Sequence, residues 1–249
     1  MAGHSQFANI KHRKAGQDAK KAKLFTKLVR EIQISASTGS VDPGFNPRLR
    51  NALSAARKAG VQRDRIETAI KKATGEIAGN NLAEIRYEGY GPGGVAIIVE
   101  ALSDNRNRTA SEVRTAFTKY GGALGETGCV NFMFDKVGII EYKKEVANND
   151  EIFEAVIEAG ADDVESDDSF HYITASPDNF GTVRDILAKK YGDPETAKLT
   201  WRAKESNALN KEAAETILKL VDALEDSDDV QEVIGNFVIS QEILDAIDK

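Results

Sequence analysis

The spacing of apolar residues along this chain changes character once, and the change falls beside a reversal of charge. Up to Gly75 the apolar residues recur at helical spacing, and beyond Leu82 they alternate or form short runs bounded by turn formers, as strands do. Residues 1–75 carry 16 Lys and Arg against 5 Asp and Glu, a net of +11, so the rest of a chain whose total is −7 carries −18. The two breaks place a domain boundary in the small, polar stretch Glu76 to Leu82. With 41% hydrophobic residues in 249, the chain can bury a proper core.

In the first region Leu24, Phe25, Leu28, Val29 and Ile32 share one face of a helix predicted over 18–37, while Lys20, Lys23, Lys27 and Arg30 line the opposite side. Turn formers at 38–47 end it. Asn46-Pro47 sets an N-cap and a first-position proline for a second helix reaching Ala59, Gly60 stops that helix, and a third runs over 63–74. Past the boundary, strands are predicted over 85–90 and 95–102, a helix over 109–120 and a strand over 130–134. From Gly138 the order is strand 138–142, helix 150–158, strands 163–166 and 170–175, helix 178–191 and strand 198–203. That is β-α-β-β-α-β, the ferredoxin-like order. The remainder, helix 210–224, strand 233–239 and helix 241–247, has too little core to stand alone and is expected to complete the preceding module. The predicted fold class is α+β. A three-helix domain (1–78) precedes a discontinuous α/β domain (79–137 with 205–249), into which a ferredoxin-like α/β domain (138–204) is inserted.

Few residues suggest catalysis. The glycines of Gly89 to Gly94 loosely resemble a phosphate loop, but no Lys-Ser/Thr follows and no helix opens directly after them; a strand-joining turn is the simpler reading. Cys129 is the single cysteine, so it forms no internal disulfide, and it has no histidine nearby in sequence. His4, His12 and His171 are too dispersed for a local metal cluster. The acidic clusters at 162–163, 167–168 and 225–229 lack calcium-loop spacing and read as solvated surface. No catalytic residue, metal or cofactor is expected. No run of 18 apolar residues exists and the N-terminus is polar and basic, so neither a membrane span nor a secretory route is expected; a reducing cytoplasm is.

The basic region differs in kind. Lys11, Arg13, Lys14, Lys20, Lys21, Lys23, Lys27 and Arg30 lie within twenty residues, with His4, His12 and a potential stacking side chain, Phe7, close by. Such density suits a phosphate backbone, where each neutralised phosphate releases counterions and affinity becomes independent of sequence. Arg48, Arg50, Arg57 and Lys58 extend the expected nucleic-acid contact. Helix 47–59, the turn at 60–62 and the third helix also have helix-turn-helix spacing, although αα-hairpins are common. Asn105, Arg106 and Arg108, at a helix entry, form with Tyr90 a candidate second contact. The helix-entry residues could bind phosphate and base edges, or cap the helix and pair with acidic groups, and both readings stand.

Several long motifs occur in order: Met1-Ala2-Gly3-His4-Ser5, Ala8-Asn9-Ile10-Lys11-His12-Arg13-Lys14, Phe25-Thr26-Lys27, Asn46-Pro47-Arg48-Leu49-Arg50, Ala69-Ile70-Lys71-Lys72, Tyr87 to Gly94, and Asp104 to Thr109. With these the chain resembles, over essentially its whole length, the YebC/PmpR family, whose mitochondrial relatives are translational activators of cytochrome oxidase. One departure is Phe7, where many members carry tryptophan; phenylalanine also stacks. The resemblance implies a helical domain followed by two α/β domains, and a cytoplasmic nucleic-acid-binding regulator of gene expression, not an enzyme. Members are described as transcriptional regulators that bind DNA, or as ribosome-associated factors that bind ribosomal RNA and assist translation.

The expectation is thus a transcriptional regulator gripping DNA through its basic N-terminal domain, with ribosome-associated RNA binding as the alternative. The acidic α/β domains are left to orient the basic one or to meet a protein partner. Two rivals come from other classes, an enzyme with a site between the α/β domains and a scaffold that binds proteins alone.

Overall fold

The structure, a computed structural model, describes residues 18–79 and 81–247. They form two compact units, one running to residue 134 and resuming at 203, the other spanning 135–202.

The first unit opens with three helices, α1 (Asp18–Thr38), α2 (Pro47–Ala59) and α3 (Arg63–Thr74). Both α2 and α3 pack against α1. Ile32 and Ala36 of α1 meet Leu49, Leu53 and Ala56 of α2 and Ile66 and Ala69 of α3, with Val61 of the connecting turn, in one small core. The buried Asn46 side chain accepts from the Leu49 amide (3.0 Å) and donates to the carbonyls of Ser35 (2.8 Å) and Ser40 (2.7 Å), so one residue caps α2 and ties down the turn before it.

The α/β part of this unit contains β1 (Ala83–Gly91), β2 (Val95–Ser103), α4 (Arg106–Lys119) and a short β3 (Ala123–Leu124). The second unit, described below, intervenes between β3 and the return of the chain. The sheet order is β3-β1-β2-β9, antiparallel throughout, where β9 is Val230–Gly235 from the far end of the chain. β2 lies inside this sheet and is almost wholly buried, which accounts for its unbroken apolar run Val95 to Val99. Helix α4 packs on β1 and β3, and also on α7 (Lys211–Glu225), which covers β9. A Cβ on Gly91 would come within 2.6 Å of Ile217 and 2.9 Å of Ile97, and one on Gly89 within 2.5 Å of the Ala123 carbonyl. The glycines of β1 therefore let other elements approach closely, while Gly93 (φ 70°) and Gly94 (φ 72°) make the turn into β2.

The second unit contains β4 (Phe134–Lys143), α5 (Asn149–Ala159), β5 (Asp163–Ser166), β6 (Phe170–Ala175), α6 (Phe180–Tyr191) and β7 (Thr196–Ala203). Its sheet order, β5-β6-β4-β7, is that of a ferredoxin-like domain, and it is inserted into the sequence of the first unit. Ile140, Tyr142 and Ile173 of the sheet pack against Ile152 and Val156 of α5 and Val183 and Leu187 of α6. His171 is fully buried, its ring nitrogens 2.7 Å from Ser166 Oγ and 3.0 Å from the Ala147 carbonyl, a packed and satisfied core residue.

Three predicted elements differ in detail. The strand expected at 130–134 is a turn and a single 3₁₀ turn, because the buried Glu88 carboxylate accepts from the amides of Val130 (3.0 Å) and Asn131 (3.1 Å); the chain becomes extended at Phe134 and continues unbroken to Lys143. The strand expected at 233–239 is two strands, β9 and β10 (Phe237–Val238), the latter pairing in parallel with β8 (Asn207–Ala208). Asn236 makes the break. Its amide donates to the Ala96 carbonyl (3.1 Å), its side chain accepts from the Ala96 amide (2.9 Å), and its carbonyl accepts from Asn207 (2.6 Å). Helix α4 starts three residues earlier than predicted, because Asn105 caps it by accepting from the Arg108 amide (3.1 Å). The described residues end in α8 (Gln241–Ile247).

Candidate nucleic-acid interface

Helix α1 is cationic along Lys23, Lys27 and Arg30 because its other face must cover α2 and α3. That stripe is engaged by the acidic turn after α7. Lys23 pairs with Asp226 (2.8 Å), and Lys27 donates to the Glu225 carbonyl (2.9 Å) at the C-terminal end of α7. The last turn of α7 has no basic residue of its own, so α1 supplies cations to the negative end of that helix. Arg30 donates to the carbonyls of Asp228 (2.6 Å) and Leu102 (3.2 Å) and pairs with Asp229 (2.5 Å).

Asp229 is the hub of this contact. Only 3% of it is exposed, and its second oxygen accepts from Arg108 (2.7 Å), Thr109 (2.6 Å) and Ser103 (2.8 Å). Burial by itself pushes the carboxyl upward, but the hydrogen bonds from Thr109, Arg108, Ser103 and Arg30 outweigh it and hold the pKa at about 2. Arg108 also meets Asp104 (3.0 Å). Above the hub a cleft of about 630 Å³ has walls of Lys23, Arg30, Arg108, Glu112, Asp226 and Asp228, among others. The cleft is charged with both signs. Among the described residues no group of three or more His, Cys, Asp and Glu is placed to hold a metal ion.

The predicted contact residues therefore divide. His4, Phe7, Lys11, His12, Arg13 and Lys14 lie outside the described residues, as does the side chain of Lys20. Lys23, Lys27 and Arg30 are engaged by the acidic turn 225–229. Arg48 clamps Glu31 through Nε (2.6 Å) and Nη2 (3.1 Å), and reaches Glu84 (2.5 Å) through Nη1. Lys21 is exposed, 5.8 Å from the centre of the Phe25 ring. Arg50, Arg57 and Lys58 of α2 are exposed, and so are Arg65, Lys71 and Lys72 of α3, which add to the same helical region. Arg50 and Arg57, seven residues apart, share one side of α2, which has no acidic residue.

The candidate second contact comes apart in the fold. Asn105 serves as the cap of α4, Arg108 is bound into the hub, and Arg106 is exposed with its carbonyl accepting from Tyr87 (3.2 Å). Tyr90 sits at the opposite end of the β1–β2 hairpin, donating to the Cys129 carbonyl (3.2 Å). Its partner in register is Ala96, seven residues along β2 from Ser103, or roughly 23 Å at strand spacing. Of the two readings of the helix entry, capping and pairing with acidic groups describes Asn105 and Arg108. Cys129 is not an activated thiol, since partial burial and the nearby Glu88 carboxylate push its pKa up.

Sequence reasoning missed Asp229, which it placed in a solvated acidic run. Asp226 is indeed 75% exposed, and only Asp229 turns inward. The available signal was its position directly before the apolar strand β9.

Residues 5–76 match the TACO1/YebC protein N-terminal domain, and residues 82–237 match the TACO1/YebC second and third domain. The chain belongs to the TACO1/YebC family. A relative named a probable transcriptional regulatory protein, from Rickettsia bellii (strain OSU 85-389), is 53% identical over 248 residues, covering 99% of this chain and 97% of its own. The crystal structure of a conserved hypothetical protein from Aquifex aeolicus superposes with a TM-score of 0.86 at 46% identity, covering 93% of this chain and 96% of that one. In this member of the TACO1/YebC family, no helix among the described residues is long and apolar enough to cross a membrane.

Proposed function

We propose that this chain is a regulator of gene expression that binds nucleic acid through its basic helical domain, residues 1–78, and acts as a transcriptional regulator on DNA. In this reading the domain formed by 79–137 with 205–249 holds the helical domain through the Asp229 hub, and 138–204 is the inserted domain. The observation that carries the proposal is the division of cations. Lys23, Lys27 and Arg30 of α1 are spent on the acidic turn, whereas Arg50, Arg57, Arg65, Lys71 and Lys72 stay exposed on α2 and α3. Exposed Arg and Lys grip phosphates and give affinity with little base code.

The test is a salt titration of binding with Arg50, Arg57 and Lys58 all changed to Glu. Affinity for every duplex should fall alike, and the slope of log K against log salt should fall by roughly 0.9 for each phosphate no longer neutralised. Unchanged affinity would reject this face. A backbone grip serves structured RNA as well as duplex DNA, so ribosomal RNA, with the ribosome as partner, is the second reading. Crosslinking in cells with sequencing of bound DNA and bound RNA separates the two, since ribosomal RNA without promoter peaks would remove the transcriptional reading.

A further inference from the structure

Phe45 is 83% exposed, more than any other large hydrophobic residue described. It projects from a turn that does not need it. The Phe45 amide donates to the Asp42 carbonyl (3.0 Å) and the Gly44 amide to Asp42 Oδ1 (2.8 Å), while Asn46 on its other side is anchored to Ser35, Ser40 and Leu49. All these bonds come from backbone groups or from Asp42 and Asn46, so the ring is presented from a fixed base and contributes little to the core. Val41, 49% exposed, is the one other large apolar side chain left outward in this turn. Together they are too small for the buried apolar centre of a protein interface.

The charges around it are mixed, with the Asp42 carboxylate in the turn itself and Arg50 the exposed cation on the helix that follows. Phe45 directly precedes the N-cap of α2, and the first turn of that helix has no acidic residue. Arg50 is exposed at the fourth helical position, which stands beside the residue before the cap in helix entries. Arg48, close by, is already held by Glu31 and Glu84. An exposed aromatic ring just before a helix and an exposed arginine in the first turns of that helix supply what stacking a nucleobase and holding its phosphate require.

We propose that Phe45 is a stacking platform for an unpaired nucleobase, with Arg50 taking the adjoining phosphate. In an intact duplex both faces of a base are covered by its neighbours, so the platform serves loops, bulges and single strands. This inference rests on the nucleic-acid reading above and narrows it toward RNA or DNA with unpaired nucleotides.

The experiment measures binding of the full chain to two labelled probes, an RNA hairpin with an unpaired loop and the blunt duplex of its stem, for the wild type, Phe45→Ala and Phe45→Trp. At 83% exposure neither substitution removes core packing. The expected result is that Phe45→Ala weakens hairpin binding by about 10-fold or more and leaves duplex binding unchanged. Phe45→Trp should restore hairpin binding, and its fluorescence should be quenched on addition of the hairpin beyond any change in Trp201, the one native tryptophan. If Phe45→Ala binds the hairpin as the wild type does, or weakens hairpin and duplex equally, the stacking assignment is wrong while nucleic-acid binding stands. If the wild type binds neither probe at any salt concentration, the nucleic-acid reading itself fails, and this one with it.

Discussion

Replacing Asp229 with Asn tests whether the buried hub holds the helical domain to the α/β body. The side chain keeps its shape and loses its charge. Against an ordinary value of 3.8, a carboxyl held at about 2 stores roughly 2.5 kcal/mol of stability at neutral pH. The substitution also leaves Arg30 and Arg108 without their shared anion, but their side chains are 21% and 44% exposed, so water takes up part of that loss. The expected destabilisation is about 2–4 kcal/mol, read as the shift in the urea midpoint of the unit that contains the hub. The sign of the pH dependence follows from the depressed pKa. The folded state keeps the carboxylate ionised where the unfolded chain has already taken up a proton, so the contribution is complete above about pH 5 and is lost as pH falls toward 2. The difference between wild type and Asp229→Asn should be flat from pH 7 to 5, and about 1.3 kcal/mol of the electrostatic part should remain at pH 3. A difference below about 0.5 kcal/mol at pH 7, or one unaltered at pH 3, would refute the reasoning.

Two further outcomes follow from the same geometry. Lys23→Glu with Lys27→Glu sets like charges against Asp226 and the end of α7, so it should lower the thermal midpoint of the hub unit and should affect nucleic-acid binding less than the α2 triple variant does. A larger binding loss with an unchanged midpoint would return α1 to the contact surface. Gly91→Ala places a Cβ 2.6 Å from Ile217 and 2.9 Å from Ile97 and should cost about 1–3 kcal/mol in a denaturant titration, whereas a neutral result would mean that α7 yields at that point.

Much of this architecture was legible in local spacing. Apart from Leu24, which is 46% exposed, the apolar positions predicted for α1, α2 and α3, with the Asn46-Pro47 cap and the β-α-β-β-α-β order, depend on neighbours within a few residues, where periodicity and capping chemistry act. What was not legible depended on distant partners. Glu88 stops a strand at residues 130–131, Asn236 divides another by bonding to Ala96, and β3 exists because Gly89 admits the chain at Ala123–Leu124. In the candidate interface, the density of cations was plain, but which of them remain available was not.

The amino-acid order alone determined that one end of the chain is helical and basic and that the rest is acidic and α/β, because periodicity and charge are sums over nearby residues. Only the tertiary structure decided what the charges do. Arg30 meets Asp229 across 199 residues of sequence, so a stripe read as open to phosphate is occupied from within, while Arg50, Arg57 and Phe45 stay outward. Attraction between opposite charges is indifferent to sequence separation, and the fold sets which of them come within reach.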